Sequence, residues 1–196
     1  MFKKIIILCL VLVSLPLIAA AETKDQPSTS KNIVMVTNLG TIRIELFDRT
    51  APITTANFRR YVRESFYNGL IFHRVIPRFV IQGGGFEPGM KSRRPSHPPI
   101  KNEAGNGLKN DRGTLSMART QQVDSATSQF FINLSDNAPL NHRGNNPSMF
   151  GYAVFGKVIE GMDVVDKIAA LPTTTIGGFS NVPQTDVVIL KAYEEE

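Results

Sequence analysis

Apolar and polar residues alternate along much of this chain, and the alternation predicts strands. Ile42, Ile44 and Leu46 each follow a polar residue, which is the period-two pattern of a half-buried strand. The stretch 38–40, Asn-Leu-Gly, is a hairpin signal that joins this strand to an apolar run at 33–37. Further predicted strands are Leu70–Val75, Phe79–Gln82, Gly113–Met117, Gln129–Asn133, Ala153–Val158 and Val187–Ala192.

Two segments have helical spacing instead. Pro52–Ser65 carries Phe58, Tyr61 and Val62 on one side, with proline in the first turn. Met162–Ala170 shows the same spacing and is followed by a proline. Many short strands with glycine-rich turns and two helices predict a mainly β fold, a closed antiparallel barrel.

The first residues predict export. A short basic start precedes the apolar run Ile5–Ile18, and Ala19–Ala21 supplies the small residues that a signal peptidase requires. The alternative is an uncleaved membrane anchor, but the run is shorter than the ~20 residues that span a bilayer. We therefore expect a signal peptide at 1–21, a flexible lead at 22–31 and a single domain at 32–196. The expected location is the periplasm, or the medium after secretion, without stable membrane association after cleavage.

Composition excludes several classes of function. The single cysteine, Cys9, lies within the predicted signal peptide, so the mature chain would contain neither a disulfide nor a thiol nucleophile. Loss of Lys3 and Lys4 reduces the basic residues from 22 to 20, against 17 acidic ones, and leaves a net charge of about +3. No basic stripe interleaved with aromatics occurs, so we do not expect nucleic-acid binding. The three histidines lack metal-ligand spacing, and we expect no metal and no cofactor.

The chemistry of the chain is concentrated in the run 72–86, which is largely apolar but contains Arg74 and Gln82. Alternation places Arg74 opposite in facing to His73 and Val75. Because arginine is rarely buried without a partner, the face with Arg74 should be accessible.

A second segment supplies a possible wall for the same groove. In a strand at 129–132, Gln129 and Phe131 share one face, and Phe130 and Ile132 share the other. If Phe131 lies beside Arg74, a cation and an aromatic ring border one groove. The residues alone favour the alternative, in which Arg74 is an ordinary surface arginine and Phe131 a core residue.

Three segments together resemble a known family. The run 72–86, then 115–119 (Leu-Ser-Met-Ala-Arg) and 128–133 (Ser-Gln-Phe-Phe-Ile-Asn), are similar in order and spacing to the active site of the cyclophilins. The resemblance extends from about Ile33 to Tyr193. It implies an eight-stranded barrel capped by two helices, and peptidyl-prolyl cis/trans isomerase activity on proline-containing polypeptides without a cofactor. We expect a monomer.

The resemblance also implies roles for individual residues. Arg74 would be the catalytic cation and the only charged side chain that faces the proline pocket. The implied substrate-binding residues are Phe79, Val80, Phe131 and Leu140 in the proline pocket, Gln82 and Gln129 as polar contacts, the main chain of Ala118 and Arg119, and Tyr152 at the rim.

Three departures from the family pattern reshape this rim. Val80 is smaller than the usual methionine, Pro139 replaces the tryptophan of eukaryotic members, and Tyr152 replaces a histidine, as in bacterial members. They imply weak cyclosporin binding and retain the cation.

A binding module or chaperone that holds proline segments without turnover is the alternative function. Arg74 favours the enzyme, because a pure binder has less need of a cation aimed at a carbonyl.

Two further motifs are weak. Two of the three motifs of penicillin-binding enzymes are matched, by Ser28–Lys31 and Ser135–Asn137, but the third is absent. The glycine run Gly83–Gly85 is not followed by the lysine of a phosphate loop.

Overall fold

The computed structural model describes residues 31–195. The predicted signal peptide and all but the last residue of the predicted lead lie outside this range, so both stay predictions. The strands are β1 Ile33–Thr37, β2 Gly40–Leu46, β3 Phe72–Ile76, β4 Val80–Gly83, β5 Phe86–Glu87, β6 Lys91–Ser92, β7 Thr114–Met117, β8 Phe130–Asn133, β9 Val154–Glu160, β10 Thr173–Ile176, β11 Phe179–Pro183 and β12 Ile189–Glu194. The helices are α1 Pro52–Arg63 and α2 Met162–Ala169, with short 3₁₀ turns at Pro88–Met90 and Ala138–Leu140.

Eight strands form one antiparallel sheet in the order β12-β1-β2-β9-β7-β8-β4-β3. The predicted closure of a barrel is wrong, because the sheet is curled but open between β3 and β12. The two edges meet at one isolated bridge, Ile71 with Val188, and at neighbouring bonds such as Phe72 N–H to Val187 O at 2.9 Å. β11 packs along β3.

The two helices cover the curled sheet through their apolar sides. Phe58 of α1 packs against Tyr67, Phe130 and Phe155, with ring centroids 5.1–5.4 Å apart. These four rings are fully buried and form the centre of the core. Neither helix in residues 31–195 is long and apolar enough to cross a bilayer.

A β-bulge at the start of β3 determines how the site is presented. Phe72 pairs with Gly83 and Arg74 pairs with Gln82, so His73 is an extra residue without a partner in the ladder. Phe72 and Val75 both belong to the core, although simple alternation would place them on opposite faces. Simple alternation therefore breaks at His73, and Arg74 still points away from the core.

The sequence pattern did not predict the two short hairpins, β5–β6 and β10–β11. The second one is joined by Gly177–Gly178, and its tip is exposed, including Ile176 and Phe179. Most positions of this hairpin are exposed and only the end of β11 is buried, so burial imposes no alternation along it, which explains why periodicity did not reveal it.

Candidate active site

Four side chains form a row across four neighbouring strands. Arg74 on β3 pairs with Gln82 on β4, Gln82 pairs with Phe131 on β8, and Phe131 pairs with Ser116 on β7. Residues directly opposite one another in antiparallel strands place their side chains on the same face. The fold therefore brings together a cation, an amide and an aromatic ring that lie up to 57 positions apart in the chain.

Hydrogen bonds fix the polar end of this row. Arg74 Nη1 donates to Gln82 Oε1 at 3.2 Å, and Gln82 Nε2 donates to Gln129 Oε1 at 3.0 Å. Because Gln82 presents its oxygen to the guanidinium, its amide nitrogen is directed to Gln129. Arg74 is half-buried, so the guanidinium is held at the surface of the groove and not within the core.

Glycines after β4 allow the chain to pass close to Gln129. A Cβ on Gly85 would lie 2.5 Å from Gln129 Nε2, and one on Gly84 would lie 2.7 Å from Ser128 O. Gly84 also has a φ of +86°. The glycine run is thus a tight turn that supports the groove, as its sequence context indicated.

Apolar side chains beside and within this row form the floor of the groove. Phe131 is 4% exposed and Val80 is 2% exposed, yet neither belongs to the main core, which contains Phe130 and Ile132. Gln129 and Phe131 thus share the face that carries Arg74. The interpretation of Phe131 as a residue of the main core does not hold.

Tyr152 and Leu140 close the groove on the side of β7. The Tyr152 ring meets Phe131 edge-to-face, with centroids 5.6 Å apart and an interplanar angle of 77°. Tyr152 N–H donates to Leu140 O at 3.0 Å, which joins the two predicted rim residues. Ala118 N–H donates to Gln129 O at 2.9 Å and holds the 118–119 segment beside β8.

A second cation borders this groove. The Arg119 guanidinium lies 5.0 Å from the centre of the Tyr152 ring. The sequence analysis expected Arg74 to be the only charged side chain that faces the predicted pocket. Arg119 is a second charged group near that pocket, although it contacts the pocket through the Tyr152 ring.

Comparison with known proteins agrees with this geometry. Residues 32–194 match the family model of the cyclophilin type peptidyl-prolyl cis-trans isomerases. The chain belongs to this cyclophilin family.

Its curated relatives include bacterial peptidyl-prolyl cis-trans isomerases. One from Acinetobacter baylyi is 61% identical over 81% of this chain and 82% of the relative. Isomerase B of Escherichia coli is 58% identical over 78% of this chain and 93% of the relative, and isomerase A of Dickeya dadantii is 53% identical over 84% and 85%. This chain is accordingly a peptidyl-prolyl cis-trans isomerase.

Solved structures show the same fold. A cyclophilin type isomerase of Cryptosporidium parvum, crystallised in the presence of the dipeptide Ala-Pro, is 28% identical, with a TM-score of 0.72 over 85% of this chain and 99% of that chain. A second crystal structure of the same protein gives a TM-score of 0.69 at 27% identity, over 85% of this chain and 98% of that chain. The family resemblance that the sequence motifs indicated is confirmed.

Beneath the groove of this cyclophilin lies a buried polar network that the sequence analysis missed. Asn110, 1% exposed, accepts from Ser116 Oγ at 2.7 Å. Its amide nitrogen lies 3.1 Å from Leu140 O and 3.4 Å from Tyr152 O. One buried side chain thereby holds the main chain of both rim residues.

The network continues under the other side of the pocket. Asn137 Nδ2 donates to Asn133 Oδ1 at 2.8 Å and to Phe79 O at 2.9 Å, and Asn133 Nδ2 lies 3.3 Å from Asn110 Oδ1. The available signal was the placement of polar residues such as Ser116 and Asn133 within otherwise apolar strands. Buried polar groups of this kind are usually fully hydrogen-bonded, as here.

His73 contributes no charge next to Arg74. Burial, and secondly the positive charge of Arg74, lowers the pKa of His73 from its usual 6.5 to about 4. Its ring packs on Phe86 at 4.6 Å, and Nδ1 has no hydrogen-bond partner among the described residues. Residues 31–195 contain no cluster of three or more potential metal ligands.

Proposed function

We propose that this isomerase accelerates rotation about X-Pro bonds by a non-covalent mechanism in which Arg74 stabilises the twisted amide, and that its substrates are exported proteins during folding. The observation that carries the mechanism is the placement of the Arg74 guanidinium at the edge of an apolar floor.

The reaction requires electronic stabilisation and no covalent chemistry. Rotation about a peptide bond has a barrier of ~18–20 kcal/mol, because it breaks the amide resonance. A typical turnover of ~10–1000 per second corresponds to a barrier of roughly 13–16 kcal/mol. The site must therefore bind the twisted state more tightly than either planar state by several kcal/mol.

Arg74 has the geometry for this task. Gln82 accepts from Nη1 and so orients the guanidinium, which can donate to the carbonyl oxygen before the proline and favour a pyramidal proline nitrogen. The apolar floor of Val80 and Phe131 lowers the local dielectric and strengthens such a bond.

The same floor can hold the proline ring while the carbonyl end turns. The C. parvum relative was crystallised in the presence of Ala-Pro, and that dipeptide has the size of the group expected here. In this proposal, Phe79, Leu140 and Tyr152 complete the pocket, whereas Gln129 and the main chain at 118–119 hold the preceding residues of the substrate.

The site of action follows from the N-terminal pattern. We propose that residues 1–21 direct export and are removed, and that the isomerase acts in the periplasm or after release. We further propose that it acts as a monomer, which size-exclusion chromatography with light scattering would test.

Substitution of Arg74 tests the mechanism. Arg74→Ala should lower kcat/KM for an Ala-Pro peptide by about 100-fold or more, because a positioned donor of this kind contributes on this scale. Arg74→Lys should restore activity only in part, since an ammonium lacks the planar fork of donors. The rate of the unmodified enzyme should stay nearly constant between about pH 6 and 9, because the proposed mechanism includes no general acid or base.

Arg78→Asn is the matched control. Arg78 is an exposed cation four residues away in the turn after β3, and asparagine tolerates its φ of 62°. This variant removes a nearby positive charge outside the groove and should retain normal activity. A folded Arg74→Ala protein, checked by circular dichroism, with near-normal kcat/KM would contradict the mechanism.

A further inference from the structure

The side chain of Arg119 joins two loops beside the proline pocket. Nε donates to Gly151 O at 2.9 Å and Nη2 donates to Pro147 O at 2.9 Å. Nη1 lies 2.9 Å from Thr120 O and 3.4 Å from Gln121 O. The guanidinium therefore ties the segment just before Tyr152 to the loop that follows β7.

The same guanidinium packs on Tyr152. It lies 5.0 Å from the ring centre, a distance at which cation–π attraction is significant. The ring also contacts Phe131, with centroids 5.6 Å apart. The contacts run from Arg119 to Tyr152 to Phe131, and so from the loops to the floor of the groove.

Tyr152 has space into which it could move. A cavity of about 590 Å³ opens between the two loops and is lined by Tyr152, Arg119 and Pro139, among others. An aromatic ring next to an open cavity has no close-packed wall on that side, so packing alone does not fix it. Arg119 supplies the missing restraint.

We propose that Arg119 is a positioning residue, which holds Tyr152 against Phe131 and thereby sets the width of the proline pocket. This inference rests on the proposed site and goes beyond it, because it assigns a role to the side chain and not to the main chain of Arg119. Loss of the side chain should weaken substrate binding more than turnover, since Arg74 and Gln82 are left in place.

The competing explanation is that Arg119 merely stabilises the loops. The chain offers a matched arginine for this comparison. Arg93 lies 5.8 Å from the Phe66 ring and donates to Phe66 O at 2.8 Å and to Asn68 O at 3.1 Å, and it also pairs with Glu87. It is thus a loop-stapling cation that contacts none of the proposed pocket residues.

The experiment measures kcat and KM for an Ala-Pro peptide, together with Tm, for Arg119→Gln, Arg119→Lys and Arg93→Gln. Arg119→Gln should raise KM by roughly 5- to 20-fold and change kcat by less than about threefold. Arg119→Lys keeps a cation near the ring but loses the fork of donors, so its KM should be intermediate. Arg93→Gln should lower Tm and leave KM unchanged.

A double substitution tests whether Arg119 acts through Tyr152. Tyr152→Ala alone should raise KM, and the addition of Arg119→Gln should raise it no further, because the ring to be positioned is gone. Multiplying KM effects, an unchanged KM in Arg119→Gln, or an equal KM increase in Arg93→Gln would each overturn the proposal. Arg119→Lys retains the charge and serves as the informative variant if Arg119→Gln does not fold.

These outcomes are separate from those for the reaction mechanism. Arg74→Ala tests the mechanism through kcat/KM of an enzyme with an intact rim. The Arg119 variants test the rim of an enzyme with an intact Arg74.

Discussion

At the scale of the residue, the charge of His73 is decided by its surroundings. Its pKa is lowered from 6.5 to about 4, first by burial and then by Arg74. The ring is thus neutral across the range in which Arg74 is proposed to act. A positive charge on His73, which would weaken the attraction of the guanidinium to a substrate carbonyl, should appear only near and below about pH 4.

The same shift predicts how stability depends on pH. In the unfolded chain His73 takes up a proton below about pH 6.5, whereas the folded protein resists protonation down to about pH 4. The unfolded state binds more protons in this window, so the free energy of unfolding should fall as the pH falls. From pH 7 to pH 5 the contribution of His73 is about 2 kcal/mol.

Urea unfolding of the unmodified protein and of His73→Gln at both pH values measures this contribution. Carboxylates titrate in both proteins, so the difference between the two losses isolates His73. Equal losses in both proteins would show that His73 is protonated normally in the folded state.

Pro139 carries the prediction about inhibitors. It is exposed in a 3₁₀ turn, next to Leu140 and the Tyr152 side of the groove. Proline offers neither an indole N–H donor nor a broad aromatic surface, so cyclosporin should bind weakly.

Pro139→Trp should tighten cyclosporin binding by about tenfold or more, which corresponds to one additional hydrogen bond and ring contact. Competition with peptide turnover measures the affinity, and kcat/KM without inhibitor is the control. Nanomolar inhibition of the unmodified isomerase would mean that Pro139 does not occupy the place of the tryptophan.

The placement of a residue could be predicted where its own side chain decides the placement. It could not be predicted where the placement depends on several residues from different parts of the chain. Arg74 could be placed outside the core because a guanidinium is expensive to bury. The bulge at His73 depends on the pairing of β3 with β4, and this pairing cannot be read from the sequence. The same holds for Asn110, whose partners come from three separate segments.

At the scale of the element, the eight predicted strands and both predicted helices occur with ends shifted by a few residues. Each of these segments contributes buried apolar residues to the core, and those residues made it visible in the sequence. The hairpin β10–β11 is largely exposed, so its sequence lacks a comparable apolar pattern.

The network under the pocket connects these elements and predicts a combined effect. Asn110→Ala should destabilise the fold, because each buried group left unpaired costs about 1–3 kcal/mol. It should also raise KM, since the main chain of Leu140 and Tyr152 loses its support.

Thermal unfolding and peptide kinetics measure the two effects. Asn145→Ala, at an exposed position in the loop before Tyr152, is the matched control and should change neither quantity. An Asn110→Ala protein with unaltered KM would show that the rim holds its shape without the network.

At the scale of the whole molecule, the predicted class of fold and the predicted eight strands of the main sheet are confirmed, whereas the predicted closure of that sheet into a barrel is wrong. Whether a sheet closes depends on pairing between its two edge strands. These strands are far apart in the chain, and the periodicity within each one says nothing about whether they pair. Here β11 lies along β3, and the two edges meet at one isolated bridge and a few neighbouring hydrogen bonds without a continuous ladder.

The processing of the chain is also a property of the whole molecule. The mature protein should begin at Glu22, because Ala19 and Ala21 provide the small residues before the cleavage point. Intact-mass analysis of protein from the cell envelope fraction gives the answer directly. A full-length species that requires detergent for extraction would contradict both cleavage and release from the membrane.

The covered edge at β3 has a consequence for an isomerase whose proposed substrates are exported proteins during folding. Extended segments in such chains carry unpaired N–H and C=O groups, and an open edge strand is a template on which they add. β11 packs along β3, and the bridge between Ile71 and Val188 occupies the start of the same edge. In this proposal the isomerase meets such polypeptides through its proline groove without offering them β3 as a strand on which to add.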